Sequence, residues 1–528
     1  MRLLTEYRKK VFLSCLSGIL LLLSFPPFSL TFFSFFVFIP IFFVVQKEKP
    51  KGAFFFSFVC GLLFYLGLLY WINLDPVETW VRPLLYLGFI LIVGYLSLHF
   101  ALIFLLSRWL AIRLNLGFNF IVPFILVVDE FIRSLGFLAF PWGSLGYTQT
   151  RHLAFIQFAE FTGVFGVSFW VALINGVIFE IVNLKRHHVL LFLRSFVMLW
   201  FLVLLFLVPY LYGRFCISKK EYEKVMVALI QGNIDQSVKW DERFQRETIE
   251  IFLSLSKEAM NKTPELFVWP ETALPTYLYY DSAAYSTIRT LPCSTGVPLL
   301  TGAPHWIPGA KLGEGRYYNS AFLIDESGRI AGEYSKIHLV PFGEKFPLAE
   351  TFPVLRHLNF GEGDFSSGKE MTILSHKKGP FAVLICFESI FPGLVREFVK
   401  RGARFLVNIT NDSWFGKTGA ARQHAEMVVF RAIENRISIA RCANSGISMF
   451  IDPYGRISQA TPIFTREIRV GEIPLKVKET FYTKYGALFA WGCMMIVVLL
   501  ILGGTIVVSV FEGKVRGNSA SPLPFRIF

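Results

Sequence analysis

Charge is scarce in this sequence. Of its 528 residues only 17% are Asp, Glu, Lys or Arg, against about 25% in an ordinary soluble protein. That shortage excludes a disordered, solvated chain. Cysteine is scarce as well, and its seven copies (Cys15, Cys60, Cys216, Cys293, Cys386, Cys442 and Cys493) are odd in number and share no spacing. A disulfide framework and paired zinc ligands are therefore excluded. No stripe of Lys and Arg interleaved with stacking aromatics occurs, so the net charge of +14 does not point to nucleic acid. What the chain has in excess is apolar surface: 54% hydrophobic residues, 58 of them Phe, and a mean hydropathy of +0.52. That composition belongs to a membrane protein.

The excess is uneven. Residues 1–212 hold 15 Lys and Arg and 8 Asp and Glu, leaving 37 and 30 for the remainder. A membrane span needs about 20 apolar residues. Eight segments qualify: 11–25, 28–45, 53–73, 84–106, 116–136, 158–182, 190–212 and 486–510. The first is read as an uncleaved span, because Pro26-Pro27 offers no small-residue cleavage site. Basic residues recur on alternate connections: Arg2, Arg8, Lys9 and Lys10; Lys47, Lys49 and Lys51; Arg108 and Arg113; Lys185, Arg186, His187 and His188; and Lys514, Arg516 and Arg526. The opposite connections carry Asp75, Glu78, Asp129 and Glu130. The positive-inside rule makes the basic side cytoplasmic. Seven spans in residues 1–212 then deliver 213–484 to the outer face, and 485–528 return as an eighth span and a tail. Arg82, Arg133 and Arg151 near outward span ends are expected to snorkel, with phosphate contact as the alternative.

The segment between spans seven and eight alternates strands and helices. Apolar runs at 225–230, 266–269, 299–302, 381–385 and 405–409 read as strands. A hairpin is predicted around Asp325-Glu326-Ser327-Gly328. Helical spacing covers 241–260, 392–401 and 420–436. This is a layered α/β pattern. Three strand ends carry reactive groups: Glu271 after 266–270, Lys336 after 329–334, and Cys386 after 381–385. A thiol needs a base to become a thiolate, and a cation stabilises thiolate and oxyanion alike. By spacing alone each residue has a plainer reading: a core cysteine, a capping or solvating glutamate, a surface lysine. His305, His338, His357 and His424 have no metal-ligand spacing and read as structural or surface residues.

The local motifs are more specific. Trp269-Pro270-Glu271-Thr272, Tyr334-Ser335-Lys336-Ile337-His338-Leu339-Val340-Pro341-Phe342-Gly343-Glu344 and Ile385-Cys386-Phe387-Glu388 resemble the signatures of the nitrilase (carbon–nitrogen hydrolase) superfamily in its order Glu, Lys, Cys. The separations are 65 and 50 residues. With seven spans before the domain and one after, the whole chain resembles the apolipoprotein N-acyltransferase family. The resemblance implies a polytopic α-helical membrane domain of about eight spans joined to an αββα sandwich, in a bacterial inner membrane with the catalytic domain on the periplasmic side. It implies Cys386 as nucleophile, Glu271 as general base and Lys336 as oxyanion stabiliser, supported by Glu344, Glu388, Trp240, Phe387 and Trp414. Phe387 departs from the tyrosine common in the family, so only ring packing, and no hydroxyl function, is carried over. Asn411-Asp412-Ser413-Trp414 resembles the family's loop after the nucleophile.

The implied donor is a membrane phospholipid and the implied acceptor the α-amino group of a diacylglyceryl apolipoprotein. No cofactor, metal or nucleic acid is implied, and a monomer is expected. Lipid substrates call for an entrance at the bilayer, since each buried CH₂ is worth about 0.8 kcal/mol. Tyr277, Leu278 and Tyr279 (followed by Tyr280), and Val354, Leu355 and Phe360, are the candidate entrance loops, with Gly361, Gly363 and Gly368 as hinges. A membrane-tethered amidase that hands its thioester to water, and a scaffold without activity, remain as alternatives.

Overall fold

The computed structural model describes residues 2–74, 82–136, 139–183, 189–217, 222–309, 315–341, 343–345, 364–476 and 478–517. Among the described residues five helices are long and apolar enough to cross a membrane: Pro50–Leu68, Arg82–Leu114, Val164–Asn183, Arg194–Cys216 and Leu488–Ile506. Helix Arg2–Leu23 covers the first expected span. The segment read as one span over 28–45 is instead a 3-10 turn, Thr31–Phe35, followed by the short helix Ile39–Val45, in which Pro40 occupies the first turn. Proline suits a helix start but cannot continue one, so the chain restarts there. The stretch expected at 158–182 starts its long helix only at Val164, because Gly163 turns the chain at φ +66°.

Asp129 and Glu130 lie inside helix Phe118–Ile132, within the span expected over 116–136 and not on the connection to which their charge assigned them. The Asp129 carboxylate takes Arg133 Nε at 2.9 Å and His99 Nδ1 at 2.7 Å, and Glu130 Oε1 accepts the Leu145 amide at 2.7 Å. Arg133 therefore neither snorkels nor reaches outward. It is buried, and donates to the Trp142 carbonyl at 3.1 Å. These bonds supply the partners that a charge needs away from water. Asp75, Glu78 and residues 185–188 lie outside the described residues.

Between the last two of these long apolar helices the chain is built on two sheets. The first has the order β11 (Glu467–Pro474), β1 (Lys224–Gln231), β2 (Leu266–Val268), β3 (Leu299–Pro308), β4 (Gly315–Ile324) and β5 (Ile330–Ser335). The second runs β10 (Ile457–Ser458), β9 (Met449–Ile451), β8 (Ser438–Ala443), β7 (Phe405–Thr410) and β6 (Phe381–Ile385). Successive side chains of a strand point to opposite faces. On β1, Val225, Val227 and Leu229 accordingly join the core shared with the second sheet. Ala228 and Ile230 instead meet helix Glu242–Ala259 through Ile249 and Phe252. Helices Pro392–Lys400 and Ala420–Asn435 cover the other sheet, giving the expected four layers. Strands β1, β2 and β3 run parallel to one another, as do β6, β7 and β8. Ligand crevices form outside the carboxyl ends of such strands, and Glu271, Cys386 and Asn411 all follow those ends.

Candidate active site

Glu271 follows β2 on a turn that presses against β3. A Cβ at Gly302 would lie 2.5 Å from the Thr272 amide and 2.8 Å from Glu271 Cα. Only glycine lets the turn sit that close. Lys336 follows β5, and its amide donates to the Asn319 carbonyl at 2.8 Å, extending the β4–β5 ladder by one rung. Cys386 follows β6 in the left-handed region, at φ +52°, and opens a 3-10 turn over Cys386–Ile390. A non-glycine residue held there is strained, as a nucleophile on a tight bend commonly is.

The three groups converge. Lys336 is 1% exposed, and its ammonium donates to Glu344 Oε1 at 2.8 Å and Glu271 Oε1 at 3.3 Å. Burial alone would depress the Lys336 ammonium, but Glu344, Glu271 and Cys386 together hold it well above the usual lysine range. It is a fixed cation. Burial likewise pushes the Cys386 thiol up. The charges of Glu271 and Asp412 add to that rise, while Lys336 and a hydrogen bond with Thr410 pull it back. The resting sulfur is thus a thiol beside a carboxylate and an ammonium, an arrangement that keeps the nucleophile protonated until a base acts.

Each supporting residue has a defined place. Glu344 Oε2 accepts the Val340 amide at 2.8 Å while Oε1 holds Lys336. Glu388 is buried and joins two strand ends. Oε1 accepts Tyr334 Oη at 2.6 Å and the Ile337 amide at 2.7 Å, and Oε2 accepts the Ile385 amide at 2.8 Å. Burial pushes the Glu388 carboxyl up to about 7, although Tyr334, the two backbone amides and the Lys336 charge pull the other way. These bonds tie the ends of β5 and β6 together. Phe387 packs its ring on Phe140, with centroids 6.2 Å apart, and on Phe391 at 5.1 Å. Trp240 is 42% exposed over the Lys239 ammonium, and Trp414 is half-buried.

Of the entrance residues, Tyr277 and Tyr279 are exposed, whereas Leu278 is 3% exposed and packs into the core beside helix Glu242–Ala259. Alternation along the loop turns it inward, so it does not face lipid. Val354, Leu355, Phe360, Gly361 and Gly363 lie outside the described residues. Gly368 is pinned by its amide on the Lys336 carbonyl at 2.7 Å, which does not suit a hinge. Among the described residues, no group of three or more His, Cys, Asp and Glu is placed to hold a metal ion.

One buried polar group escaped the sequence reading, and a second was read there only as structural or surface. Asn319 donates from Nδ2 to Glu271 Oε1 at 2.8 Å and to Glu344 Oε1 at 2.9 Å, bridging the two carboxylates around Lys336. The signal was its place on β4 opposite Lys336, on the rung that Lys336 adds, and this needs the pairing to be known. Hydrogen bonds to charged groups are worth about 1.5–3 kcal/mol, so Asn319→Leu should cut kcat/KM by about 10- to 100-fold. A variant within twofold of wild type, with an unshifted melting temperature, would show that the bridge is idle. The second group is His424, whose Nε2 lies 3.2 Å from the Cys386 carbonyl. Its spacing from the motifs gave no hint of this.

Known proteins match both parts of the chain. Residues 17–177 match the apolipoprotein N-acyltransferase N-terminal domain, and residues 226–481 match the carbon–nitrogen hydrolase domain. The chain is 40% identical over 494 residues to the apolipoprotein N-acyltransferase of Geobacter metallireducens, covering 92% of this chain and 94% of that protein. It is 34% identical over 530 residues to that of Chlorobaculum tepidum, covering 94% and 96%. Among solved structures, a Saccharomyces cerevisiae member of branch 10 of the nitrilase superfamily covers 49% of this chain and 93% of its own, with 19% identity and a TM-score of 0.37.

Proposed function

This chain belongs to the apolipoprotein N-acyltransferase family, and from that premise we propose that it carries an acyl group on Cys386 between a membrane phospholipid and an apolipoprotein. The observation that carries this reading is the contact of the Lys336 ammonium with Glu271, in a pocket where both charges act on the Cys386 thiol. We assign the catalytic domain to 213–484, on the periplasmic side, with residues 1–212 and 485–528 forming the membrane part.

In the first half-reaction Glu271 takes the Cys386 proton, and the sulfur attacks the ester carbonyl of the phospholipid. Lys336 stabilises the oxyanion. The intermediate collapses, the C–O bond breaks, and the departing alkoxide takes the proton back from Glu271 as a lysophospholipid leaves. A thioester remains. In the second half the free α-amino group of the diacylglyceryl-cysteine attacks that thioester and gives a proton to Glu271. The C–S bond breaks, and Cys386 is reprotonated. Covalent catalysis divides one difficult transfer into two easier steps. An amine attacks a thioester more readily than an oxygen ester, and the amide product makes the second step downhill. The intermediate must outlast the exchange of lipids, which requires that water be kept out. The buried carboxylates and the aromatic rings of Phe140, Phe387 and Phe391 favour such a dry site.

Intact-mass measurement of the purified protein after incubation with phospholipid alone should show one added acyl chain, mapped to Cys386. Addition of a diacylglyceryl peptide should remove that mass and deliver it to the peptide amine. Release of free fatty acid with no acylated peptide would replace the transfer by hydrolysis, and an unmodified Cys386 would remove the thioester.

A further inference from the structure

Cys386 is held from behind by a buried polar network that the acyl-transfer steps do not use. Its carbonyl faces His424 Nε2 at 3.2 Å and accepts Ser389 Oγ at 2.9 Å. A carbonyl can only accept, so Nε2 carries the proton there. On the other side of the ring, Nδ1 lies 3.1 Å from Arg441 Nη2 and 3.1 Å from Asp412 Oδ1. Arg441 can only donate, and so it meets the Nδ1 lone pair. Asp412 is itself held by Arg441 at 2.8 Å and by Thr410 Oγ1 at 2.9 Å. Burial and the Arg441 charge both press His424 towards its neutral form. A Cβ at Gly446 would come within 2.2 Å of Asp412 Oδ2, so only glycine leaves room for that carboxylate.

Histidine 424 also sits where the water-facing domain meets the membrane part. Its neighbour Gln423 accepts Trp142 Nε1 at 2.7 Å and donates to the Pro26 carbonyl at 2.8 Å. The helix Ala420–Asn435, which bears both residues, is thereby tied to two membrane-side segments on one side and to the nucleophile's backbone on the other.

We propose that His424 is a positioning residue for Cys386: its Nε2–H anchors the Cys386 carbonyl and holds the nucleophile's strained backbone in the attacking conformation. Arg441, itself held by Asp412, donates to Nδ1 and so selects the tautomer that makes this donor. The inference rests on Cys386 being the nucleophile.

The test separates the two nitrogens. The amide nitrogen of His424→Gln reaches the place of Nε2, whereas that of His424→Asn reaches only the place of Nδ1. Misplacing a reacting group by an ångström costs about 10²-fold. Single-turnover acylation of Cys386 by phospholipid should therefore stay near wild type in His424→Gln and fall by about that factor in His424→Asn, with KM for the phospholipid unchanged. Equal losses in the two variants, or none in His424→Asn, would overturn the proposal. Should His424→Asn fail to fold, Ser389→Ala decides, since it removes the other donor to the same carbonyl. Slower acylation supports the anchor, and an unchanged rate rejects it. Iodoacetamide labelling of Cys386, followed by peptide mapping, needs no lipid. If wild type never acquires an acyl chain, the functional reading fails. His424 is then judged by whether labelling in His424→Asn departs from wild type while His424→Gln does not.

Discussion

Replacement of Glu271 by Gln is expected to lower acyl transfer by about 10²- to 10⁴-fold, the usual worth of a general base, without slowing chemical labelling of Cys386. The two effects have opposite signs because one carboxylate does two things. In the proposed mechanism it accepts the thiol proton, and its charge raises the resting thiol's pKa. Glutamine removes the acceptor and the charge together. Without the charge the thiol ionises more readily, so labelling by iodoacetamide at pH 8 should hold or rise while acylation measured by intact mass collapses. Asn319, Lys336 and the Asn411 amide all donate to this side chain. The amide NH₂ of glutamine must face one of these donors, so the melting temperature should fall as well. Labelling that drops in parallel with acylation would mean that the pocket had distorted, and Glu271 could not then be assigned as the base from this variant.

Cys386→Ser is expected to abolish the covalent step, with a loss in turnover of roughly 10³- to 10⁶-fold, the range found when a nucleophile is disabled with its pocket left intact. A serine hydroxyl is far less acidic than a thiol, and Glu271 is a weak base for it. An ester in place of the thioester would also resist the incoming amine. The readout is twofold: peptide acylation by purified protein in vesicles, and added mass on residue 386. In the wild type, burial and the neighbouring carboxylates raise the Cys386 thiol. Its labelling by iodoacetamide should therefore keep climbing as pH passes about 9, where an ordinary cysteine levels off. Near-wild-type turnover of the serine variant would sink the thioester route.

Much of this protein is local and so can be read along the chain. Apolar runs near 20 residues mark helices such as Arg82–Leu114, because a bilayer core of set thickness demands that length. Strands β1, β6 and β7 follow from short apolar runs, and Glu271, Lys336 and Cys386 stand at strand ends inside recognisable motifs. Interruption was harder to see. The break at Ile39 depends on Pro40, and the late start at Val164 on Gly163, single residues within otherwise apolar stretches. Asp129 and Glu130 were misplaced for a related reason, since a charge near a span end reads as loop until its buried partners are known.

Linear order alone determined the membrane character and the layered domain, and its motifs nominated Glu271, Lys336 and Cys386 for the proposed base, cation and nucleophile. Their mutual position was decided by the tertiary structure. Asn319 bridges two carboxylates 48 and 25 residues away, and His424 reaches a carbonyl 38 residues before it. Leu278 turned inward while its tyrosine neighbours stayed exposed. Hydrogen bonds act over about 3 Å of space and are blind to distance along the chain, so which polar groups meet is settled only when the two sheets stack and the helix Ala420–Asn435 seats against the membrane part.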